Sequence, residues 1–235
     1  SWGSAREALA PLFYAHRQKT PLRRTEAAVP RYRALVGWAL HHEAQDRPHY
    51  GLSLQAARPD WLHGSAPFAV LLSATAKDRK LWDEARWVAL GQALASQGLH
   101  SVFAWGNAAE HVRADRLAAA VNAHSAIAGG DTAAALVAPS AFGLAEWMRV
   151  LRAARVVVGV DTGLLYLAAA VGTPSVAIYT GSSPHSVEFE SAGPWRSLGE
   201  SGQQPSVADV LQATQDVQAA VDRKSTRLNS SHRIR

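Results

Sequence analysis

The fold is decided by residues 155–172, which read RVVVGVDTGLLYLAAAVG. The first half is a short β-branched, apolar run of the kind that fills a strand buried on both faces. The second half consists of strong helix formers and ends at Gly172 and Pro174, as helices commonly do. The pattern predicts a central strand over 155–160, followed by a helix that begins near Gly163.

Asp161, Thr162 and Gly163 lie between this strand and this helix. We expect Asp161 or Thr162 to cap the helix by accepting its unpaired amide protons, and Gly163 lets a ligand approach the backbone closely. Free amides and the helix dipole favour negative charge, so the turn is a candidate diphosphate site. A capped helix that binds no ligand fits these residues equally well, and this stretch leaves both interpretations open.

Strand and helix patterns alternate through the chain from Phe68 onward. This alternation predicts an α/β fold, a Rossmann-like parallel sheet wrapped by helices, with any ligand at the carboxyl ends of the strands. Besides the central strand and helix, strands are predicted at 68–72, 99–104, 133–139 and 174–179, and helices at 82–97, 108–121, 144–154 and 206–221. In the first of these helices we expect the residues facing the core to be Trp82, Ala85, Val88, Ala89 and Leu94.

The first 66 residues have a different pattern. Helices are predicted over 2–14 and 26–41, with a basic loop at 17–24 between them, and Pro30 suits only the first turn of the second helix. In that helix the residues expected to face inward are Val29, Leu35, Val36 and Ala39. The sequence therefore divides into a helical segment at 1–41, a linker at 42–66 rich in Pro, Gly, Asp and His, and an α/β domain at 67–221.

The formal net charge of +5 is not spread over one basic surface. Residues 1–35 carry a net +5, residues 222–235 a net +4 and residues 36–221 a net −4. The basic residues of 1–35 fit either a solvated helical face or contact with an anionic partner or membrane surface. Because the charge is divided in this way, a nucleic-acid partner is not expected.

Residues 222–235 lack hydrophobic periodicity and resemble the translation of a common sequencing-library adapter. We expect them to be disordered and to be a read-through artefact; a genuine basic tail is the alternative.

Several classes of protein do not fit the sequence. It has no cysteine, so disulfides and thiolate metal sites are excluded, and its ten histidines do not pair with acids at metal-ligand spacing. The nucleotide motifs G-x-G-x-x-G and G-x-x-x-x-G-K-[ST] are absent. Asp161-Thr162-Gly163 matches the aspartic protease motif, but that mechanism needs two such aspartates in β-rich surroundings. No run of about 18 apolar residues predicts a membrane span.

Polar residues follow each predicted strand. Hydroxyls, glycines and a cationic cluster suit a phosphorylated ligand, and the Glu110 carboxylate suits a ribose diol. Each of these residues alone is ordinary loop chemistry, whereas their convergence on one edge indicates a site. In chain order, these segments are 73–80, Trp105-Gly106-Asn107 with Glu110, Ser140 and Phe142, Asp161-Thr162-Gly163, and 180–184.

Three of these segments, in this order and spacing, resemble the heptosyltransferases of glycosyltransferase family 9, which have the two-domain GT-B fold. They are ATAKDRKLW at 74–82, Trp105-Gly106 with Glu110, and VGVDTGL at 158–164. The resemblance extends from Trp2 to about Val221. It implies that 67–221 is the nucleotide-sugar (donor) binding C-terminal domain and that 1–41 is a remnant of the N-terminal acceptor-binding domain.

The resemblance also implies an activity. It is the inverting, metal-independent transfer of L-glycero-D-manno-heptose from ADP-heptose to the Kdo of Kdo2-lipid A, in lipopolysaccharide inner-core synthesis. No cofactor is implied besides the donor substrate ADP-L-glycero-β-D-manno-heptose. The implied location is cytoplasmic, peripherally on the inner membrane of a Gram-negative cell. The alternatives are a family 9 heptosyltransferase that acts later on the core and a nucleotide-binding module without catalytic activity.

By the same resemblance, Lys80 neutralises the diphosphate of the leaving ADP, and Asp161 binds or orients the heptose. These two residues are the catalytic candidates. The other implied contacts are Thr75, Thr162 and Gly163 with the phosphates, Glu110 with the ribose, Phe142 with the adenosine, Tyr166 with the donor, and Arg6 with the anionic acceptor.

The sequence departs from the family pattern at three places. Tyr166 stands where the family usually has histidine, Ala76 replaces a frequent threonine, and Thr180-Gly181-Ser182-Ser183-Pro184 replaces Gly-Pro-Thr-Asp-Pro. The family's catalytic base, an aspartate of the first domain, falls upstream of Ser1. We therefore expect this chain to bind ADP-heptose weakly at best and to catalyse no transfer.

Overall fold

The computed structural model describes residues 2–3, 16–17, 28–42, 50–52, 54–127, 133–182, 184 and 191–232. Strand β1 (Trp2–Gly3) pairs in parallel with β2 (His16–Arg17), and helix α1 spans Ala28–Ala39. The predicted helix over 2–14 is wrong at its first two residues, which are extended. The rest of that prediction, and all of the predicted basic loop after Arg17, lie outside the described residues.

Helix α1 confirms the predicted second helix, with Pro30 in its first turn, where the missing amide costs no hydrogen bond. The predicted inward face is wrong at Val36, whose side chain is 55% exposed. Residues 50–52 and 54–67 contain no helix or strand. The division into domains stays a prediction.

The α/β prediction is confirmed by a six-stranded parallel sheet. Its order is β5-β4-β3-β6-β7-β8, so the chain fills one side of β3 before it crosses to the other side. Such a reversal between β3 and β6 is the switch point at which open α/β sheets bind ligands. The strands are β3 (Phe68–Leu72), β4 (His100–Phe103), β5 (Ala135–Val137), β6 (Val156–Val160), β7 (Ser175–Ile178) and β8 (Trp195–Leu198).

Helices cover both faces of this sheet, and α2, α3 and α6 pack on one face while α4 and α5 pack on the other. Strand residues alternate between the faces, so Leu71 and Val158 contribute to the first core and Val70 and Val157 to the second. Every residue of β3 and β6 is buried, as expected for the central strands of a covered parallel sheet. The helices span Glu84–Ser96 (α2), Ala108–Ile127 (α3), Leu144–Ala153 (α4), Gly163–Ala170 (α5) and Val207–His232 (α6).

The predicted core face of α2 is partly wrong. The buried residues are Trp87, Leu90, Gly91 and Leu94, at helical spacing, whereas Ala85 is exposed. The larger apolar side chains set the rotation of the helix because they bury more surface than the alanines and valine that the prediction preferred. Trp82 is buried as predicted, but it lies before the first residue of the helix.

The carboxyl end of α2 confirms the predicted stop at Gly98. This glycine has a φ of +75°, and its amide bonds the carbonyl of Ala95 while the amide of Leu99 bonds that of Leu94. These two hydrogen bonds form a Schellman motif, which requires the left-handed conformation that glycine adopts most easily.

Strand β8 and the continuation of α6 beyond residue 221 were not predicted. Strand β8 is a short edge strand with polar residues and no clear alternation, so its pattern is too weak to predict a strand. Helix α6 continues to His232, so the prediction of disorder for 222–235 is wrong up to that residue. At this end the Arg155 guanidinium contacts the Asp222 carboxylate at 2.7 Å. The adapter origin of the tail stays a prediction.

Among the described residues, none of the helices is both long enough and apolar enough to cross a membrane.

Candidate functional site

The loops that follow β3 and β6 meet at the switch point of the sheet. The Thr75 hydroxyl, in the first loop, donates a hydrogen bond of 3.1 Å to the backbone carbonyl of Asp161, in the second. Because β3 and β6 are neighbours with Leu72 opposite Gly159, both loops leave the sheet at the same point. The two candidate phosphate segments therefore lie together, and their binding of phosphate stays a prediction.

An ion pair lies at the centre of this site. The Lys80 ammonium is 2.5 Å from Oδ2 of Asp161, and the side chains are 21% and 10% exposed. Lys80 is the last residue of a short 3-10 turn, Asp78–Lys80, which directs its side chain back toward β6. The Ser182 hydroxyl donates a longer hydrogen bond, 3.4 Å, to the same carboxylate oxygen. The carboxylate thus has a charged and a neutral donor.

The loop after β7 is attached to the loop that carries Lys80. The Thr180 hydroxyl donates to the carbonyl of Arg79 at 3.0 Å, and the Arg79 guanidinium donates to the carbonyl of Gly181 at 2.6 Å. A Cβ at Gly181 would lie 2.6 Å from the Arg79 carbonyl oxygen, so only glycine permits this approach. Three loops are therefore fixed to one another around the ion pair.

Helix α5 begins at the edge of this cluster. Thr162 occupies the N-cap position, but its hydroxyl makes no capping hydrogen bond. The prediction was that Asp161 or Thr162 caps the helix. It is wrong for the Thr162 side chain, and the Asp161 carboxylate contacts Lys80 and Ser182. Gly163 is exposed, and beyond its chain neighbours and its own helix backbone no atom of the described residues lies within 4 Å of the position of a Cβ. An anion has room to approach the first turn of the helix there.

Two tyrosines, Tyr166 and Tyr179, lie close enough to Asp161 for its charge to raise their pKa values. Burial, and secondarily the negative charge of Asp161, raise the pKa of Tyr166 to about 12. The pKa of Tyr179 is raised as well, mainly by burial and to a smaller extent by the charges of Tyr166 and Asp161. Both phenols are therefore protonated at neutral pH, and a side-chain hydrogen bond links Tyr179 to Ser197. Tyr179 was not among the predicted site residues, because it lies in a predicted strand as an ordinary aromatic residue.

Glu110 lies in the first turn of α3, after β4. Its Oε2 accepts a hydrogen bond of 2.8 Å from the Gly106 amide, and its own amide donates to the Asn107 side chain at 3.0 Å. This arrangement is similar to a capping box, with the Gly106 amide in place of that of Asn107, so the carboxylate has a structural role whether or not it binds ribose. Nearby, the Trp105 indole donates to the carbonyl of Ala138 at 2.6 Å, which joins the loops after β4 and β5.

Phe142 lies in the loop after β5, between two indole rings. Its ring centroid is 5.8 Å from that of Trp61 and 5.4 Å from that of Trp147, the latter in an edge-to-face arrangement. Sequence reasoning missed Trp61, because it lies in the predicted linker, where no periodicity identifies a packing residue. Its indole nitrogen is buried and has no hydrogen-bond partner within the described part of the chain.

The predicted site residues thus divide into three groups. Thr75, Lys80 and Asp161 are in direct contact, and Thr162, Gly163 and Tyr166 adjoin them on α5. Glu110 and Phe142 follow β4 and β5, at the same edge but one and two strands away from β3. Arg6 lies outside the described residues. Within the described part of the chain, no three His, Asp or Glu side chains come together as a metal site.

Two curated proteins similar to this chain are both named lipopolysaccharide heptosyltransferase 1. The lipopolysaccharide heptosyltransferase 1 of Salmonella typhimurium is 36% identical over 188 residues, which are 78% of this chain and 53% of that protein. The protein of the same name from Pseudomonas aeruginosa is 38% identical over 183 residues, 77% of this chain and 47% of that protein. The chain spans about half the length of these relatives.

Solved structures of heptosyltransferases are also similar to this chain. E. coli heptosyltransferase WaaC with ADP matches with a TM-score of 0.67 and 28% identity, over 90% of this chain and 62% of that one. E. coli ADP-heptose lps heptosyltransferase II also has a TM-score of 0.67, but its 21% identity, over 88% of this chain and 66% of that one, shows the fold alone. The family model of glycosyltransferase family 9 (heptosyltransferase) matches residues 1–205. The chain belongs to glycosyltransferase family 9.

Proposed function

We propose that this chain is the donor-binding part of a heptosyltransferase that uses ADP-heptose in lipopolysaccharide inner-core synthesis. The observation that carries the proposal is the position of Lys80, whose ammonium lies at the sheet's switch point beside the start of α5. Two similar solved structures support it, since their names include ADP and ADP-2-deoxy-2-fluoro heptose.

In this proposal the donor diphosphate binds between Lys80 and the first turn of α5. The ammonium and the helix amides stabilise the negative charge that develops on ADP as the bond to the heptose breaks. Donors that are already fixed in place before the reaction are the effective ones, and three loops fix this lysine. Thr75, Thr162 and Gly163 complete the phosphate contacts.

The adenosine then extends along the edge toward β4 and β5. The second carboxylate oxygen of Glu110, which has no partner among the described residues, accepts hydrogen bonds from the ribose diol. Phe142 offers its ring to the adenine. Tyr166, protonated at neutral pH, donates to the diphosphate or to the sugar, where the family usually has histidine.

The acceptor part of the proposal is Kdo2-lipid A, with Arg6 as an anion contact, at the cytoplasmic face of the inner membrane, where the protein is peripherally bound. Transfer by inversion, without a metal or another cofactor, belongs to the same proposal. The relatives named heptosyltransferase 1, at 36% and 38% identity, favour this acceptor over one further out on the core. A heptosyltransferase II-like enzyme is the second candidate.

We expect the chain to prefer adenine over uracil nucleotides. The measurement is a calorimetric titration with ADP-heptose, ADP, ATP and a UDP-sugar, under identical buffer and salt. The expected order places ADP-heptose and ADP above ATP, with no saturable binding of the UDP-sugar. Equal binding of the UDP-sugar, or binding of none of the four ligands, would contradict the proposed function.

Gly163→Ala is expected to weaken ADP binding by about tenfold, because the new methyl group stands where a phosphate approaches the helix amides. In the free protein this methyl group meets no atom within 4 Å, so the free energy of unfolding should change by less than about 0.5 kcal/mol. The measurements are an ADP titration and a urea denaturation curve.

The matched control for this variant is Gly143→Ala. Gly143 is the N-cap residue of α4, and a Cβ there also meets no atom within 4 Å. We expect ADP affinity to be unchanged in the control. Equal weakening in both variants would mean that the first turn of α5 has no special role in phosphate binding.

A further inference from the structure

We propose that Asp161 competes with the donor diphosphate for Lys80, and that this competition makes the site favour a nucleoside diphosphate that carries a sugar over the bare nucleoside diphosphate. The inference rests on the proposed function and adds to it a determinant of selectivity between substrate and product. It assigns to Asp161 an effect on binding that is unfavourable for one ligand and favourable for the other.

The first step is the engagement of Lys80. Its ammonium lies 2.5 Å from the Asp161 carboxylate, at a site where the two side chains are only 21% and 10% exposed. A diphosphate that takes the ammonium as its partner must displace this contact or share it. In either case the carboxylate opposes the anion, because like charges repel and water screens them weakly in a partly buried site.

A diphosphate bound to Lys80 leaves the Asp161 carboxylate without its charged donor. A buried carboxylate that loses a charged donor is costly unless other donors replace it. Ser182 is the other donor shown, at 3.4 Å. The carboxylate therefore gains most from a ligand that brings hydroxyl groups of its own.

The third step separates the two ligands. A bare nucleoside diphosphate ends in phosphate oxygens, which accept hydrogen bonds and carry charge, so it takes the ammonium and leaves the carboxylate unsatisfied. A sugar attached to that terminal phosphate places several hydroxyl donors just beyond it, next to Asp161. The same carboxylate thus opposes ADP and is satisfied by the sugar of the donor. After transfer the sugar is gone, and the restored ion pair favours release of ADP.

The test is Asp161→Asn, titrated with ADP and with ADP-2-deoxy-2-fluoro heptose. Removal of the negative charge frees Lys80, so we expect ADP to bind about tenfold more tightly than to the wild-type chain. The preference for the sugar-bearing ligand over ADP should fall by at least as much. A merely structural role of Asp161 would instead weaken both ligands together, and that result would overturn the inference.

The matched control is Asp78→Asn, which removes the same charge from an exposed position in the same loop. It should change ADP affinity by less than about twofold, because an exposed charge is well screened. An equal gain in both variants would mean that only the net charge of the loop matters, which would also overturn the inference.

A measurement on the wild-type chain keeps the test independent of the folding of the variant. The ammonium nitrogen signal of Lys80, assigned in NMR spectra by comparison with Lys80→Arg, should shift on addition of ADP as the ion pair is exchanged for phosphate. No shift at saturating ADP would overturn the inference and would remove Lys80 from the proposed diphosphate contacts, while the binding of ADP would still support a donor site in this chain. If neither ADP nor the fluorinated donor binds the wild-type chain, the proposed function fails and the inference fails with it.

Discussion

Lys80→Met is expected to weaken the binding of ADP-heptose by about 100-fold. Two effects act in the same direction. The diphosphate loses its cation, and the Asp161 carboxylate, only 10% exposed and formerly paired with Lys80, becomes an uncompensated negative charge facing the ligand. The measurement is calorimetric titration with ADP-heptose and ADP at low and at physiological salt.

Lys77→Met is the matched control for this variant. Lys77 belongs to the same loop, carries the same charge and is exposed, whereas Lys80 points into the switch point. We expect the control to lose less than about threefold in affinity, since exposed charges contribute little at physiological salt. If both variants lose affinity equally, the loop acts through its overall charge and the position of Lys80 is not decisive. The melting temperature of each variant shows whether the fold is retained.

Alternating strands and helices, together with the rule that ligands bind at the carboxyl ends of parallel strands, identify the loops that lie at the candidate site, and the binding roles of their residues stay predictions. The β-branched run that ends at Val160 predicts a strand, and the alanine-rich run after Gly163 predicts a helix. The Lys80–Asp161 pair could not be predicted from pattern alone, because it depends on β3 and β6 being neighbours. Alternation of strands and helices establishes a parallel sheet but leaves the order of its strands open.

A glycine in the central strand shows how packing places the site. A Cβ at Gly159 would lie 2.8 Å from the Cβ of Leu72, the last residue of β3, so any larger residue at position 159 would collide with it. Glycine is disfavoured in strands by its local propensity. Glycine occupies position 159 because Leu72 of the neighbouring strand leaves no room for a side chain. The same limit applies to Trp61, whose contact with Phe142 joins residues far apart in the sequence that no local period connects.

Trp82→Ala is expected to lower the free energy of unfolding by about 3–5 kcal/mol. The indole is fully buried, lies edge-to-face against Trp87 at 5.0 Å, and donates a hydrogen bond of 3.1 Å to the carbonyl of Pro205, just before α6. Its removal leaves a large cavity between the loop that carries Lys80 and the α2–α6 side of the core. The measurement is urea denaturation followed by circular dichroism, which does not depend on the deleted fluorophore.

Trp195→Ala is the control, because it makes the same chemical change on edge strand β8, where the side chain is 36% exposed. It should cost less than about 1.5 kcal/mol, since less apolar surface is lost from the core. Trp82→Phe should fall between the two variants: the ring stays buried, and the Pro205 carbonyl keeps the Arg86 guanidinium as a donor at 2.8 Å. Equal losses for Trp82→Ala and Trp195→Ala would contradict this account, because burial of the indole beneath the Lys80 loop would then not be what stabilises the domain.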